Sequence, residues 1–514
     1  AALSGITTGD HNTTLGYKAG QNMTTGVYNV IIGSQAGDAA SIGNYHVLIG
    51  AFAGSSINSG DADGTTAIGY QAGQILTSGI GSTAIGYQAL VSATDNDYNT
   101  AVGARALYSI SGSSGTEGEN NTAIGRYAGY NNTTGYSNVY VGGAAGFANT
   151  IGNYNNFIGQ SAGNALVDGT NSTYIGWYAA YNQTHGDNNV VVGHQALYGS
   201  SGKGDLSENV AIGYQSAHKA EAGYGITAVG SRALRNITPS GSLSTAIGYF
   251  SGFNASGSYN TFVGAEAGRG GTTSAPFSSG QRNVAIGYQA SKDFTTGNDN
   301  TTLGYLAAHN ITVAGHNTAL GSEALASEDV GDFTVAIGYR TGYYQNSDSN
   351  NEDAANTLVG TGAGFYNITG TKNTLIGRQA GLGVSGQSNS DNVAIGYRAL
   401  YGVTTGHENT VMGYEAAYSL TSADNNVIIG YQTGYSLTTA RYNVLIGDQA
   451  GYSLSTSSES NENVMIGNSA GRNADAATNA AHYNVYIGSG AGYYMDDGDS
   501  NVFIGREAGK GGGT

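Results

Sequence analysis

Cysteine is absent from the 514 residues, and only 2 prolines and 1 tryptophan occur. No disulfide framework or thiolate metal site can therefore form. Charged residues make up 10%, well below the roughly one quarter usual in globular domains. The 18 Lys and Arg are scattered and outnumbered by 35 Asp and Glu, for a net charge of −17. That balance excludes a surface built to grip a phosphate backbone, so nucleic acid is not an expected partner. No run of 18 apolar residues exists, so no membrane insertion is expected. The opening AALSGITTGD has neither the basic nor the apolar region of a signal peptide. Low charge does not here mean disorder, because hydrophobic residues still reach 39%.

What the chain does have is 85 Gly, 38 Tyr and a repeat. Aligning on an apolar residue followed by Gly, with a small residue three positions later, gives 28 units anchored from Gly16 to Gly505. Of the 27 spacings between anchors, 17 are 17 residues long. Helical repeats are longer, roughly 33 to 47 residues, and need helix formers rather than Gly, Thr, Asn and Tyr. The period predicts an all-β, fibrous, parallel β-solenoid, a β-roll of about 28 coils with two short strands per coil, spanning residues 1–514 as one repeat domain. At about 4.8 Å per rung, the coils would form a rod on the order of 130 Å long.

Counting the anchor Gly as position 0, the unit reads Asn at −4, Thr or Val at −3, Ala or a larger apolar residue at −2, and Ile or Val at −1. Tyr-Gln-Ala follows the anchor, and then an extended Leu-Thr-Thr-Gly segment. Four ladders are expected to be structural. They are Asn99, Asn121, Asn138 and Asn283 at −4; Ile85, Ile124 and Ile286 at −1; the turning glycines Gly86, Gly125 and Gly287; and Ala89, Ala128 and Ala290 at +3, small enough for close walls. Strand alternation, read with Thr and Ile inward, puts −2 outward. Ala84, Tyr140, Phe157, Tyr174, Phe262, Tyr486 and Phe503 then become the expected contact with neighbouring chains, since a strand apolar on both faces is covered on both faces.

The N-T-A-I-G and N-V-A-I-G strands resemble the head repeats of YadA-type trimeric autotransporter adhesins. With G-Y-Q-A-(L/G) and T-T-G added, the unit is similar to the repetitive shafts of phage tail fibres, and the resemblance covers the whole chain. It implies a homotrimer, a location on a virion tail fibre or an extracellular cell surface, and a host surface glycan or protein receptor as partner. Adhesin head coils are shorter than 17 residues, which is a departure. The alternative expectation is a filament subunit that self-associates end to end, because the repeats run nearly to both ends of this sequence.

No catalytic residues and no cofactor are expected. GQSAG at 159–163 and GNSAG at 467–471 match a nucleophile-elbow pattern, but Ser161 and Ser469 occupy the repeat's polar slot and no phased His or Asp accompanies them. Asp95-Asn96-Asp97, Asp61-Ala62-Asp63-Gly64 and Asp496-Asp497-Gly498-Asp499 cluster hard oxygens in turns and make calcium a candidate ligand. Pairs such as Thr24-Thr25 point to opposite faces of a strand and do not make the regular array of an ice-binding surface. Trp177, Tyr178 and Tyr181 form either a sugar-stacking platform or part of an aromatic ladder. Insertions at 111–120, 200–208, 271–282, 345–355, 456–462 and 473–482 all lengthen one corner of the coil, where ligand contacts are expected.

Overall fold

The computed structural model describes residues 2–41, 43–59, 62–112, 116–199, 206–221, 223–238, 242–272, 277–349, 352–454, 460–474, 481–495 and 498–512. Among these there is no helix. The chain is a parallel β-solenoid of about 28 coils, and contacts divide it into two compact units, Ala1–Ser258 and Tyr259–Thr514. One three-residue strand opens each coil at −3 to −1, from Thr13–Leu15 to Thr245–Ile247 in the first unit and from Thr261–Val263 to Val502–Ile504 in the second. Neighbouring strands pair in parallel at identical phase: Thr83 lies opposite Thr100, Ala84 opposite Ala101, and Ile85 opposite Val102. The same phase holds in the second unit, where Val284 lies opposite Thr301. Fourteen rungs about 4.8 Å apart give each unit roughly 62 Å of stacked strand.

The anchor glycine ends the strand for two reasons. Gly86 has φ +134°, a region closed to side chains, and a Cβ there would sit 2.6 Å from the carbonyl oxygen of Gly103 in the next coil. Two left-handed residues follow, Gln88 at φ +54° and Leu90 at φ +53°. They reverse the amide direction, so that Gln88 N–H donates back to Tyr70 O at 2.9 Å while Leu90 N–H donates forward to Ala106 O at 3.0 Å. The opposite wall is stitched by threonine rather than by a strand ladder. Thr133 donates both its N–H and its Oγ1 hydrogen to Thr150 O, at 2.9 and 3.0 Å. Thr295 does the same to Thr312 O, at 2.8 and 3.1 Å. A further parallel pair, Leu206–Ser207 with Gly223–Tyr224, belongs to the first unit.

The facing of the strand is the reverse of the sequence expectation. Ala84, Tyr140, Phe157, Tyr174, Phe262 and Tyr486, expected to meet another chain, are all buried inside the roll at 0–1% exposure. Phe503 is half-buried and packs against the same interior. Ile85, Ile124 and Ile286, expected to fill the interior, face outward, with Ile124 43% exposed. The physical reason is size together with polar satisfaction. Asn at −4 shares parity with −2, and its amide must lie inside to find partners. The narrow space left opposite Ala89, Ala128 and Ala290, all fully buried, admits Ala at −2 more readily than Thr or Ile.

Larger −2 side chains fit because +4 shrinks in compensation. Tyr140, Phe157 and Tyr486 are matched in their own coils by Gly146, Gly163 and Gly492, where an added Cβ would strike the ring of each. Buried leucines at +4, such as Leu90, Leu107 and Leu400, stand instead over Ala84, Ala101 and Ala394. In these coils volume at −2 is traded against volume at +4, whereas an Ala–Gly coil such as Ala123 and Gly129 is filled by its neighbours, Tyr140 and Leu107 lying against Gly129.

The asparagine ladder runs through this interior. Asn121 N–H donates to Asn99 Oδ1 at 2.9 Å, and Asn138 N–H to Asn121 Oδ1 at 3.0 Å. Each Nδ2 also reaches a carbonyl of the following coil: Asn99 to Gly118, Asn121 to Gly135 and Asn283 to Gly297, at 2.8 to 2.9 Å. These amides thus satisfy buried backbone groups, and at rungs such as Asn138 on Asn121, at 3.1 Å, the side-chain amides also bond to each other.

Candidate functional surface

Reversed facing leaves an outward apolar sheet face in each unit. All 28 coil strands carry an aliphatic residue at −1, and all but Asn156 carry Thr or Val at −3. Side chains remain well exposed here, including Ile124 at 43% and Ile247 at 41% in the first unit, and Ile337 at 37% and Met412 at 37% in the second. Exposed aromatic residues flank the stripe on both sides. At +1 stand Tyr70, Tyr87 and Trp177, or Tyr288, Tyr305 and Tyr431; near −5 stand Tyr28, Tyr45 and Tyr98, or Tyr259, Tyr442 and Tyr483. Neither the −3 nor the −1 column holds a charged residue.

Aromatic ladders occupy the corner after the anchor. Tyr401, Tyr418, Tyr435 and Tyr452 stack with ring centroids 4.8 to 5.2 Å apart and nearly parallel planes. Trp177, Tyr178 and Tyr181 do come together: Trp177 lies 5.2 Å from Tyr178, and Tyr178 lies 4.8 Å from Tyr181, edge to face. Tyr181 also stacks on Tyr198 at 5.4 Å, and Tyr198 on His218 at 5.2 Å, so the cluster is part of a separate ladder in the first unit. Partial burial beside Arg235 and Lys219 pushes the His218 imidazole down to about 4, which keeps it neutral in the stack at physiological pH.

The acidic turns serve a purpose that reading them as calcium ligands missed. Asx residues at −6 accept the backbone N–H of the equivalent residue one coil earlier. Asp63 Oδ1 takes Asn44 N–H at 2.7 Å, Asp97 Oδ1 takes Ile80 N–H at 2.7 Å, and Asp499 Oδ1 takes His482 N–H at 2.9 Å. Asn298 and Asp424 repeat the contact in the second unit. These Asp and Asn side chains form a recurring set of caps, whose regular offset of six before the anchor was visible in the sequence. Asp61, Asp496 and Asp497 lie outside the described residues, as do central parts of all six insertions. Among the described residues, no three His, Asp or Glu side chains converge to hold a metal ion.

Ser161 and Ser469 sit in the +2 column with φ +55°, and their N–H groups donate to Gly143 O and Asp448 O one coil back. Threonine pairs are likewise committed to the scaffold, since Thr24 Oγ1 donates to Ser41 O at 2.8 Å. No helix among the described residues is long and apolar enough to cross a membrane. No protein-family model matches the chain, and no curated protein aligns with it significantly.

Proposed function

We propose that the chain is a non-enzymatic fibrous protein that works as a homotrimer, the rigid shaft of a phage tail fibre or of a surface adhesin contacting a host cell. The observation that carries this reading is the outward Thr/Val–Ile face. At about 4.8 Å per rung and roughly 10 Å along a three-residue strand, fourteen rungs present on the order of 650 Å² per unit before the flanking tyrosines are added. A standard interface takes about 800 Å² from each partner, whereas monomers rarely expose apolar patches above roughly 600 Å². Depletion of charge with flanking tyrosine also matches the composition of an interface core. Three is the copy number implied by the resemblance to adhesin heads and tail-fibre shafts, which also points to a host glycan or protein receptor.

Sedimentation of the full chain tests the reading, with an expected mass three times 52.1 kDa. Ile124→Lys combined with Ile376→Lys should dissociate the assembly while leaving the β circular dichroism spectrum intact. Ala84→Lys should instead unfold its coil. A wild-type monomer at micromolar concentration would refute the proposal. Indefinitely long fibres in negative-stain images would favour end-to-end assembly.

A further inference from the structure

In most coils of the second unit the +1 and +2 positions carry long side chains, such as Tyr339 and Arg340, or Arg378 and Gln379. Between those two rungs the sequence has Thr361 and Gly362 instead, opening a groove of about 370 Å³ with Gly362 at its floor. Backbone conformation does not require that glycine. Gly362 has φ +64°, yet Arg340 at φ +52° and Gln379 at φ +58° hold the same corner with full side chains. Nor does packing require it, because a Cβ at Gly362 would have its nearest neighbours at 3.8 Å. The effect of glycine here is to remove one rung from a column of long +2 side chains that otherwise runs from Glu266 to Gln449.

The walls of the groove have a definite chemistry. Tyr339, Phe365 and Tyr366 line it with aromatic surface, Phe365 and Tyr366 meeting edge to face at 4.7 Å. Two guanidiniums border it, and they differ. Arg340 is committed to Glu323 at 2.7 Å. Exposed Arg378 packs 5.9 Å from the centroid of the Tyr397 ring and forms no ion pair among the described residues. The stacked rings of this corner are spaced about one rung apart, as in Tyr344 over Tyr366 at 5.5 Å. A missing rung is therefore a slot the thickness of one more ring, with an uncommitted cation at its edge.

We propose that this groove binds a carboxylate-bearing pyranose, a uronic or sialic acid residue of a surface glycan, with the sugar ring in the vacant rung and its carboxylate on Arg378. Aromatic faces suit the apolar face of a pyranose, and a guanidinium offers a planar fork to a carboxylate. The groove lies within the roughly 300–1,000 Å³ range of small-ligand sites. The pattern of 360–366, Gly-Thr-Gly-Ala-Gly-Phe-Tyr, recurs as Gly-Ser-Gly-Ala-Gly-Tyr-Tyr at 488–494 and builds a second notch of about 310 Å³ over Gly490. There the bordering cation, Lys510, is paired with Glu507 at 3.1 Å. That notch supplies the shape without the free charge and is a built-in control.

The inference deepens the adhesive reading of the shaft and rests on it. Its test is titration of the full chain with sialyllactose and digalacturonate, with lactose as the neutral probe, followed by saturation-transfer NMR. Both acidic sugars should bind saturably and at least about tenfold more tightly than lactose, the margin of one charge-assisted hydrogen bond. Gly362→Gln installs the commonest residue at that slot, so it should fold normally and abolish binding. Arg378→Gln should weaken the acidic sugars about tenfold and leave lactose unchanged, and Gly490→Gln should change nothing. Acidic sugars bound no better than lactose, no binding at all, or binding indifferent to Gly362→Gln would overturn the site. Sedimentation of the same samples separates the two claims: an oligomer that ignores acidic sugar sinks the site alone, and a monomer that binds it through Gly362 sinks the trimeric shaft while supporting the site.

Discussion

Replacing Asn121 with Ala tests whether the buried amide ladder holds the coils together. Asn121 is fully buried. Its Oδ1 accepts both the N–H and the Nδ2 of Asn138, at 3.0 and 3.1 Å, and its Nδ2 donates to Gly135 O at 2.9 Å. Truncation leaves the buried Asn138 N–H without a partner, whereas the Gly135 carbonyl keeps Asn132 Nδ2 at 3.1 Å. One unsatisfied buried donor, two lost hydrogen bonds and a small cavity add to about 3 kcal/mol. In a one-dimensional array such a loss appears as local opening of adjacent coils. Amide exchange at Thr122 and Val139, whose N–H groups bond across the neighbouring rungs at 2.8 and 2.7 Å, should therefore accelerate about a hundredfold. Asn121→Ser should be milder, because the protein itself uses Ser82 at −4, accepting Asn99 N–H and donating to Asn96 O at 3.3 and 3.2 Å. Exchange within threefold of wild type for the Ala variant, or a Ser variant worse than Ala, would refute the reasoning.

Volume exchange between −2 and +4 predicts a specific rescue. Ala84→Phe should cost about 1–3 kcal/mol by overpacking against Leu90, and adding Leu90→Gly should recover at least half of it, measured as a coupling energy in urea denaturation. A buried carboxylate supplies a pH test. Burial, with Asp329 nearby, raises the Glu328 pKa although the N–H groups of Gly331, Val330 and Ser347 point at it. A raised folded value means its contribution is fully present below the ordinary value of 4.5 and is lost as pH rises through the folded one. Glu328→Gln should therefore flatten the dependence of stability on pH above about 4.5, seen as a denaturation midpoint that falls less than the wild type's between acid and neutral pH.

The solenoid was legible because its signals are redundant. Period, β-branched triplets, the anchor glycine and the asparagine column all agree on one coil per repeat, and each follows from local geometry. Facing was not legible from hydrophobicity, since Thr-Ala-Ile is apolar on both sides and burial alone chooses neither. Two other features of the sequence do choose. Asn99 and Ala101 share parity, and a column of amides needs an interior full of backbone partners. Glycines such as Gly146 follow aromatic −2 residues such as Tyr140, while Leu90 follows Ala84, and only residues that share a core must trade volume. Acidity alone makes Asp97 and Asp63 candidate calcium ligands; their constant offset of six before the anchor also marks them as caps for the preceding coil.

The period of the outward face restricts what can cover it. A partner touching one or two rungs can have any shape, but one that covers fourteen rungs of a unit must present matching side chains every 4.8 Å or so. The surface of a globular protein has no such spacing, whereas a second copy of this chain has it by construction, in the same phase at nearly every rung. Each −1 side chain would then contribute a similar increment, roughly 0.5–1 kcal/mol, because full burial of an exposed Ile gives about 1.5–3 kcal/mol and all but those of the end rungs are already more than half buried. Single Lys substitutions at Ile68, Ile175, Ile337 or Ile446 should accordingly weaken self-association by comparable steps wherever they fall along a unit, and pairs of them should add. A steep dependence on one position, with the others silent, would point to a small local contact and against lateral packing of whole rolls.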